Sequence, residues 1–259
     1  MKVVILAGGL GTRISEESVL KPKPMIDIGE MPMLWHIMKI YTYYGFNEFI
    51  ICAGYKQHVI KEWFADYFLH TSDITFDYTA GNNEMIIHNK HVEPWRVTIV
   101  DTGLKTSTGG RVKKIKDYIC NEPFMLTYGD GVADLNIPQL IEFHKRHGKY
   151  GTISMYNFSQ SKGVVEVGDG GIIEAFREKS DTDGDLINIG FMVLEPEVFD
   201  YIHGDEPFEY EPMKRLVKDK QLIGYVHKGY WQCMDTLREK QKIEQLLDSG
   251  NAPWKVWEK

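Results

Sequence analysis

Residues 2–13 read Lys2-Val3-Val4-Ile5-Leu6-Ala7-Gly8-Gly9-Leu10-Gly11-Thr12-Arg13. The first six form a short apolar run rich in β-branched residues. That is the pattern of a strand buried on both faces of a parallel sheet. The run passes without a break into glycines at 8, 9 and 11. With no Cβ in the way, successive backbone N–H groups there can close around a phosphate. Thr12 adds a hydroxyl and Arg13 a fixed cation. Lys21-Pro22-Lys23-Pro24 follows, and each proline restricts the lysine before it to extended geometry. A buried strand, a glycine loop, an arginine and two stiffened lysines make a polyphosphate cradle. The plainer alternative is a tight turn with solvated charges.

Outward from this stretch the chain alternates. Pro32 to Gly45 carries apolar residues at helical spacing, with proline at its start and glycine at its end. Asn47 to Cys52 is a second apolar strand, and His58 to Phe68 is helical again. Strand, loop, helix, strand, loop, helix predicts an α/β fold with a doubly wound sheet. Ile74–Thr79, Glu84–His88 and Arg96–Val100 alternate as strands. Asp101 to Arg111 is a second loop rich in glycine and hydroxyls, followed by a helix over Val112–Ile119 whose Lys113, Lys114 and Lys116 face water. Phe124–Thr127 is a buried strand ended by Tyr128-Gly129-Asp130-Gly131. Beyond it come a helix at Ile137–His147, a strand at Gly151–Tyr156 and a hairpin turning at Gly168-Asp169-Gly170-Gly171. A strand at Leu186–Leu194, helices at Pro196–Ile202 and Glu211–Lys220, a strand at Leu222–His227 and a helix at Asp235–Asp248 complete the reading. No repeat or linker interrupts it, so residues 1–259 are read as one domain.

Composition narrows the function. The chain has 259 residues, 43% hydrophobic and 12% aromatic, enough for a sizeable core. A net charge of -7 argues against nucleic acid as partner, though a small anionic ligand needs only local positive charge. No apolar stretch reaches the roughly 20 residues of a membrane span. The short Val3–Ala7 run is no signal peptide. Cys52, Cys120 and Cys233 show no C-x-x-C, so neither disulfides nor zinc are indicated and a reducing cytoplasm is expected.

The opening loop fits neither standard phosphate motif. A Rossmann fingerprint from Gly9 needs glycine at position 14, which is Ile14, and no Walker continuation follows Gly8 or Gly9. What remains is L-A-G-G-L-G-T-R at 6–13 with K-P-K-P at 21–24. This resembles the sugar-1-phosphate nucleotidylyltransferases, and within them the glucose-1-phosphate cytidylyltransferase branch. Trp35-His36-Ile37-Met38-Lys39, Val92-Glu93-Pro94-Trp95, Thr108-Gly109-Gly110-Arg111, Thr127-Tyr128-Gly129-Asp130-Gly131, Met234-Asp235-Thr236-Leu237-Arg238 and Ala252-Pro253-Trp254-Lys255 carry the likeness nearly end to end.

The resemblance implies a Rossmann-like, mixed but mostly parallel sheet flanked by helices, the nucleotide-diphospho-sugar transferase fold. A nucleotide-binding half would span about 1–150 and an acceptor-binding half about 151–259. It implies transfer of a cytidylyl group from CTP to a sugar 1-phosphate, foremost α-D-glucose 1-phosphate, giving CDP-glucose and pyrophosphate in a Mg²⁺-dependent homo-oligomer, for surface polysaccharide synthesis. The loop Leu6, Ala7, Gly8, Gly9, Leu10, Gly11, Thr12, Arg13 would hold CTP, with Arg13 on the β- and γ-phosphates. Lys23, Thr106, Arg111 and Gly129 would join it. Asp130 and Asp235 would hold Mg²⁺, while Glu178, Lys179 and Asn188 would meet the acceptor.

Elementary chemistry agrees with these residue types. A phosphate monoester attacking the α-phosphorus needs no strong base, only two anions brought together by Arg, Lys and Mg²⁺. Taken singly, Asp130 is equally a turn residue, and Asp235 reads better as a helix N-cap than as a metal ligand. His144 and His147 share a helical face, as metal ligands or as ordinary surface histidines. Trp231, Trp254 and Trp257 read as packing or subunit contact. The acceptor half departs from the branch at Ser161-Lys162-Gly163-Val164, at Ser180 after Glu178-Lys179, and at Ile189 in Ile187-Asn188-Ile189-Gly190. An isoleucine where a glycine kept the pocket open would crowd it. Alternatives are therefore another sugar phosphate or a polyol phosphate as acceptor, and a non-catalytic nucleotide-sugar-binding protein.

Overall fold

A computed structural model describes residues 1–79, 81, 83–88, 92–158, 164–167, 173–177 and 185–258. The first part of the chain runs β1 (Lys2–Ala7), α1 (Ser15–Ser18), β2 (Asp27–Ile28), β3 (Met31–Pro32), α2 (Met33–Tyr43), β4 (Glu48–Ala53), α3 (Gln57–Ala65), α4 (Tyr67–Thr71), β5 (Asp73–Asp77), β6 (Glu84–His88) and β7 (Arg96–Asp101). Next come α5 (Thr108–Lys114), α6 (Lys116–Ile119), β8 (Phe124–Tyr128), β9 (Gly131–Ala133), α7 (Ile137–His147), β10 (Gly151–Phe158), β11 (Val164–Val167) and β12 (Ile173–Arg177). The last are β13 (Asp185–Leu194), α8 (Glu211–Lys218), β14 (Leu222–His227), β15 (Trp231–Cys233) and α9 (Leu237–Asp248).

Seven strands form one sheet in the order β14-β10-β13-β8-β1-β4-β7. β1 lies inside it, parallel to both β4 and β8. β13 alone runs antiparallel to its neighbours β10 and β8. This is the mixed, mostly parallel sheet the resemblance implies. Successive side chains of β1 point to opposite faces. Val3, Ile5 and Ala7 join a core with α2, α7 and α9. Val4 and Leu6 join a second core with α5, α6 and α8. A strand buried on both faces explains why residues 2–7 carry no polar alternation. The sheet is thereby a rigid layer whose C-terminal strand ends open onto one rim.

Several expectations change in detail. The helix predicted from Val112 begins at Thr108, so Gly109, Gly110 and Arg111 belong to its first turns and not to a loop; it breaks at Ile115 into α5 and α6. Lys23 opens a 3-10 turn with Pro24 and Met25 and is not extended. Met25 N donates to Pro22 O at 2.7 Å and Ile26 N to Lys23 O at 3.1 Å, bonds that outweigh the local preference of a residue before proline. Pro196–Tyr201 is likewise 3-10. β11 and β12 pair antiparallel as the hairpin signal predicts; the turn at 168–171 lies outside the described residues.

His144 sits in the core, Nδ1 against Thr152 Oγ1 at 2.8 Å and Nε2 against Glu195 Oε1 at 3.1 Å. His147 shares the same hydroxyl at 2.7 Å. Both are structural hydrogen-bonding partners. The tryptophans pack: Trp254 is fully buried, and Trp257 meets Trp35 edge-on at 5.7 Å. Among the described residues no helix is long and apolar enough to cross a membrane.

Candidate functional site

At the C-terminal ends of β1 and β8 the chain leaves a cleft of about 370 Å³, within the size range of small-molecule sites and at the rim where open α/β sheets bind ligands. Of the predicted nucleotide set, Leu6, Ala7, Gly8, Gly9, Gly11, Thr12, Arg13, Lys23, Thr106, Arg111 and Gly129 all line it. Leu10 is exposed and is not among the lining residues. Lys21, the other stiffened lysine, pairs with Asp27 instead.

The charged end of the cleft is a four-membered ionic chain. Lys23 Nζ contacts Asp130 Oδ2 at 2.6 Å and also Asp235 Oδ1. The second oxygen of Asp235 takes Arg13 Nη1 at 2.6 Å. Topology explains how Asp130 and Asp235 meet. β9 pairs antiparallel with β15, setting Gly131 opposite Cys233, and Met234 N donates to Asp130 O at 2.8 Å. The two aspartates flank this ribbon at the same end. Asp235 is not the N-cap of α9. Thr236 is, in a capping box with Glu239, and Glu239 also accepts from Asp235 N at 2.8 Å. The Asp235 backbone is therefore fixed while its carboxylate is left to Lys23 and Arg13, which line the cleft. Burial disfavours the Lys23 ammonium, but the two carboxylates more than offset this and its pKa is raised.

Two carboxylates converging on one cation are hard oxygen donors of the kind Mg²⁺ takes, one or two at a time with phosphates completing its shell. The neighbouring Cys233 thiol is pushed up to about 12, chiefly by burial and then by Glu239, Asp235 and Asp130. The donor set at Asp130 and Asp235 thus fits Mg²⁺.

Arg111 lines the cleft and also has a structural part that its motif does not announce. It is 4% exposed. Nη1 donates to Thr102 Oγ1 at 2.6 Å, Gly103 O at 2.8 Å and Ala53 O at 3.3 Å; Nη2 donates to Gly8 O at 2.9 Å and Leu104 O at 3.4 Å. The guanidinium ties the glycine loop to the ends of β4 and β7. A Cβ on Gly8 would fall on that guanidinium, so glycine is needed there for close approach and not for phosphate access alone. At Gly129 a Cβ would stand 2.7 Å from Pro24 Cγ and 2.8 Å from Leu6 O. The glycine seats the end of β8 against the Lys23 turn.

Glu178 and Lys179, with Ser161–Gly163 and Ser180, lie outside the described residues. Asn188 does not line the cleft but donates from Nδ2 to Tyr128 Oη, 3.4 Å away. Ile189 is not in the pocket wall: it is 3% exposed and belongs to the core with Val3, Ile5 and Phe191. Strand alternation on β13 turns it away from the face that carries Asn188. The sequence reading missed Ser107, Thr108 and Tyr128, which line the cleft, and Glu209, which accepts from Tyr128 Oη at 2.7 Å and Thr108 Oγ1 at 2.5 Å. Burial, then the Glu209 charge, raise the Tyr128 pKa and keep its hydroxyl protonated. Glu209 lies in a stretch whose polarity looks like any surface loop, so no local signal marks it.

The family model described as Nucleotidyl transferase matches residues 2–238. A glucose-1-phosphate cytidylyltransferase of Salmonella typhi is 52% identical over 100% of both chains. A probable glucose-1-phosphate cytidylyltransferase of Bacillus subtilis (strain 168) is 44% identical over 99% of this chain and 100% of its own. Among solved structures, a UDP-glucose pyrophosphorylase complexed with UDP-glucose aligns at TM-score 0.68 and 16% identity, covering 96% of this chain and 98% of that one. That likeness establishes the fold. The chain belongs to the nucleotidyl transferase family, whose model runs from the first residue of β1 into the first turn of α9.

Proposed function

We propose that this protein transfers a cytidylyl group from CTP to α-D-glucose 1-phosphate, giving CDP-glucose and pyrophosphate. The observation that carries the reading is the convergence of Asp130, Asp235, Lys23 and Arg13 beside the glycine loop, in a chain 52% identical along its full length to a cytidylyltransferase. Backbone N–H groups of the loop hold the triphosphate, and Arg13, 73% exposed at its side chain, reaches its β- and γ-phosphates. Lys23 takes charge developing at the α-phosphate. Asp130 and Asp235 would hold Mg²⁺, which supplies charge neutralisation between nucleotide and acceptor when bound. Glu178, Lys179 and Asn188 belong to the acceptor site. We further place the nucleotide half at about 1–150 and the acceptor half at about 151–259, and assign the protein to the cytoplasm as a homo-oligomer.

An acceptor phosphate oxygen attacks the α-phosphorus as the bond to pyrophosphate breaks in line. The acceptor is already largely dianionic near neutral pH, so rate comes from positioning and charge compensation. A pyrophosphate-release assay with CTP tests this against glucose 1-phosphate, other sugar 1-phosphates and glycerol phosphate. Glucose 1-phosphate gives the highest kcat/KM of the panel; no turnover with it overturns the reading.

Ile189 provides a second check on the acceptor. As a core residue, Ile189→Ala costs about 2–5 kcal/mol in urea denaturation and leaves acceptor preference unchanged. Altered preference at unchanged stability would return it to the pocket wall.

A further inference from the structure

Beyond the ionic chain, the cleft carries the hydroxyl side chains of Ser107, Thr108 and Tyr128 beside Arg111, whose guanidinium is bound to Gly8, Ala53, Thr102 and Gly103. This is where a nucleotide's neutral base belongs when its phosphates occupy the charged end. Two of these hydroxyls share one partner. Thr108 Oγ1 lies 2.5 Å and Tyr128 Oη 2.7 Å from the two oxygens of Glu209. A carboxylate only accepts, so both hydroxyls must donate to it. Each hydroxyl has a single proton, and each therefore has only lone pairs left for any other partner.

The surroundings reinforce this polarity. Phe208 N donates to Thr108 Oγ1 at 2.8 Å. Gly190 N donates to Asn188 Oδ1 at 3.0 Å, which turns the Asn188 amide nitrogen toward Tyr128 Oη. Asp205 Oδ1 accepts from Ser107 N at 2.7 Å and anchors the start of α5. The wall is held from behind by the segment 205–209; its two hydroxyls have no proton to offer, and with one lone pair taken by Phe208 N, Thr108 Oγ1 keeps one to accept from the cleft.

Cytosine and uracil differ in this respect. Cytosine carries an exocyclic amine, a donor, where uracil carries a carbonyl, an acceptor. We propose that Glu209 is a positioning residue for base choice: by holding the Thr108 and Tyr128 protons, it leaves the hydroxyl-lined side of the cleft able to accept from the cytosine amine and unable to donate to the uracil carbonyl. The proposal rests on the cytidylyl-transfer reading above and adds the residue that discriminates among pyrimidine triphosphates.

Glu209→Gln tests it. A glutamine can accept from one hydroxyl but must donate to the other, which frees a proton toward the cleft. The ratio of kcat/KM for CTP over UTP falls at least roughly tenfold, since polar complementarity is what separates such substrates. KM for glucose 1-phosphate and the melting temperature stay at wild-type values, and Glu209→Asp restores part of the ratio. Should the glutamine variant not fold, Tyr128→Phe, which keeps the ring, is read for the same ratio. An unchanged ratio in the variant that folds overturns the proposal. Wild-type protein that does not use CTP overturns the parent reading instead, so the two failures are distinct.

Discussion

Asp130→Asn lowers kcat for pyrophosphate release by at least roughly 10²–10³-fold, the scale of losing one preorganised electrostatic group, and leaves the melting temperature within a few degrees. The substitution is nearly isosteric and removes one negative charge. Asp130 O still accepts from Met234 N, so the β9–β15 ribbon that sets the site remains. Lys23 keeps Asp235 as partner, and the buried ammonium is not stranded. What disappears is half of the carboxylate pair that fits a hard cation, and with it the means to bring a triphosphate and a second phosphate together. Rate and melting are measured on the same preparation. Turnover within a few-fold of wild type would remove Asp130 from the catalytic set, and collapse of the fold would make it structural.

The sheet was legible because its strands obey period and burial rules locally. Val3 to Ala7 and Phe49 to Ala53 lack polar alternation because both faces are covered, and their glycine-marked ends give away the rim where ligands bind. Asp130 and Asp235 were legible as a pair only through resemblance. Nothing in either short stretch announces the ribbon that joins them. The start of α5 was misread because Gly109 and Gly110 lower helix propensity, whereas packing against the segment at Glu206 and Phe208 decides the backbone there. Ile189 was misjudged for a related reason. Substitution beside a pocket residue looks like a pocket change, but strand alternation sends neighbours to opposite faces. Glu209 escaped altogether, since its partners lie at positions 108 and 128 and a lone acid carries no periodic signal.

Arg111 supplies the sharpest contrast between motif and geometry, and Arg111→Met decides it. Methionine roughly matches the length and removes every donor. Ala53 O keeps Thr102 N and Thr102 Oγ1 as donors, and Gly8 O keeps Tyr55 N. Gly103 O and Leu104 O lose the bonds they receive from the guanidinium. Gly103 O is part-buried and Leu104, 54% exposed, can turn to water, but hydrogen bonds to a charged donor contribute about 1.5–3 kcal/mol, so a loss of about 2–4 kcal/mol follows. For a chain of this size that lowers the melting temperature by roughly 5–15 °C without any nucleotide present. Arg111→Lys recovers little, because one ammonium cannot span acceptors arranged around a planar fork. Were Arg111 simply a ligand contact, nucleotide-free protein would melt like wild type and only the KM for CTP would rise. A double-mutant cycle separates the two further. Gly8→Ala pushes a methyl into the space the guanidinium fills, so its cost shrinks when Arg111 is already methionine, a non-additivity that residues in contact produce. Additive losses would mean that the glycine loop does not lean on Arg111, and the phosphate cradle would then owe its shape to β1 and the Lys23 turn alone.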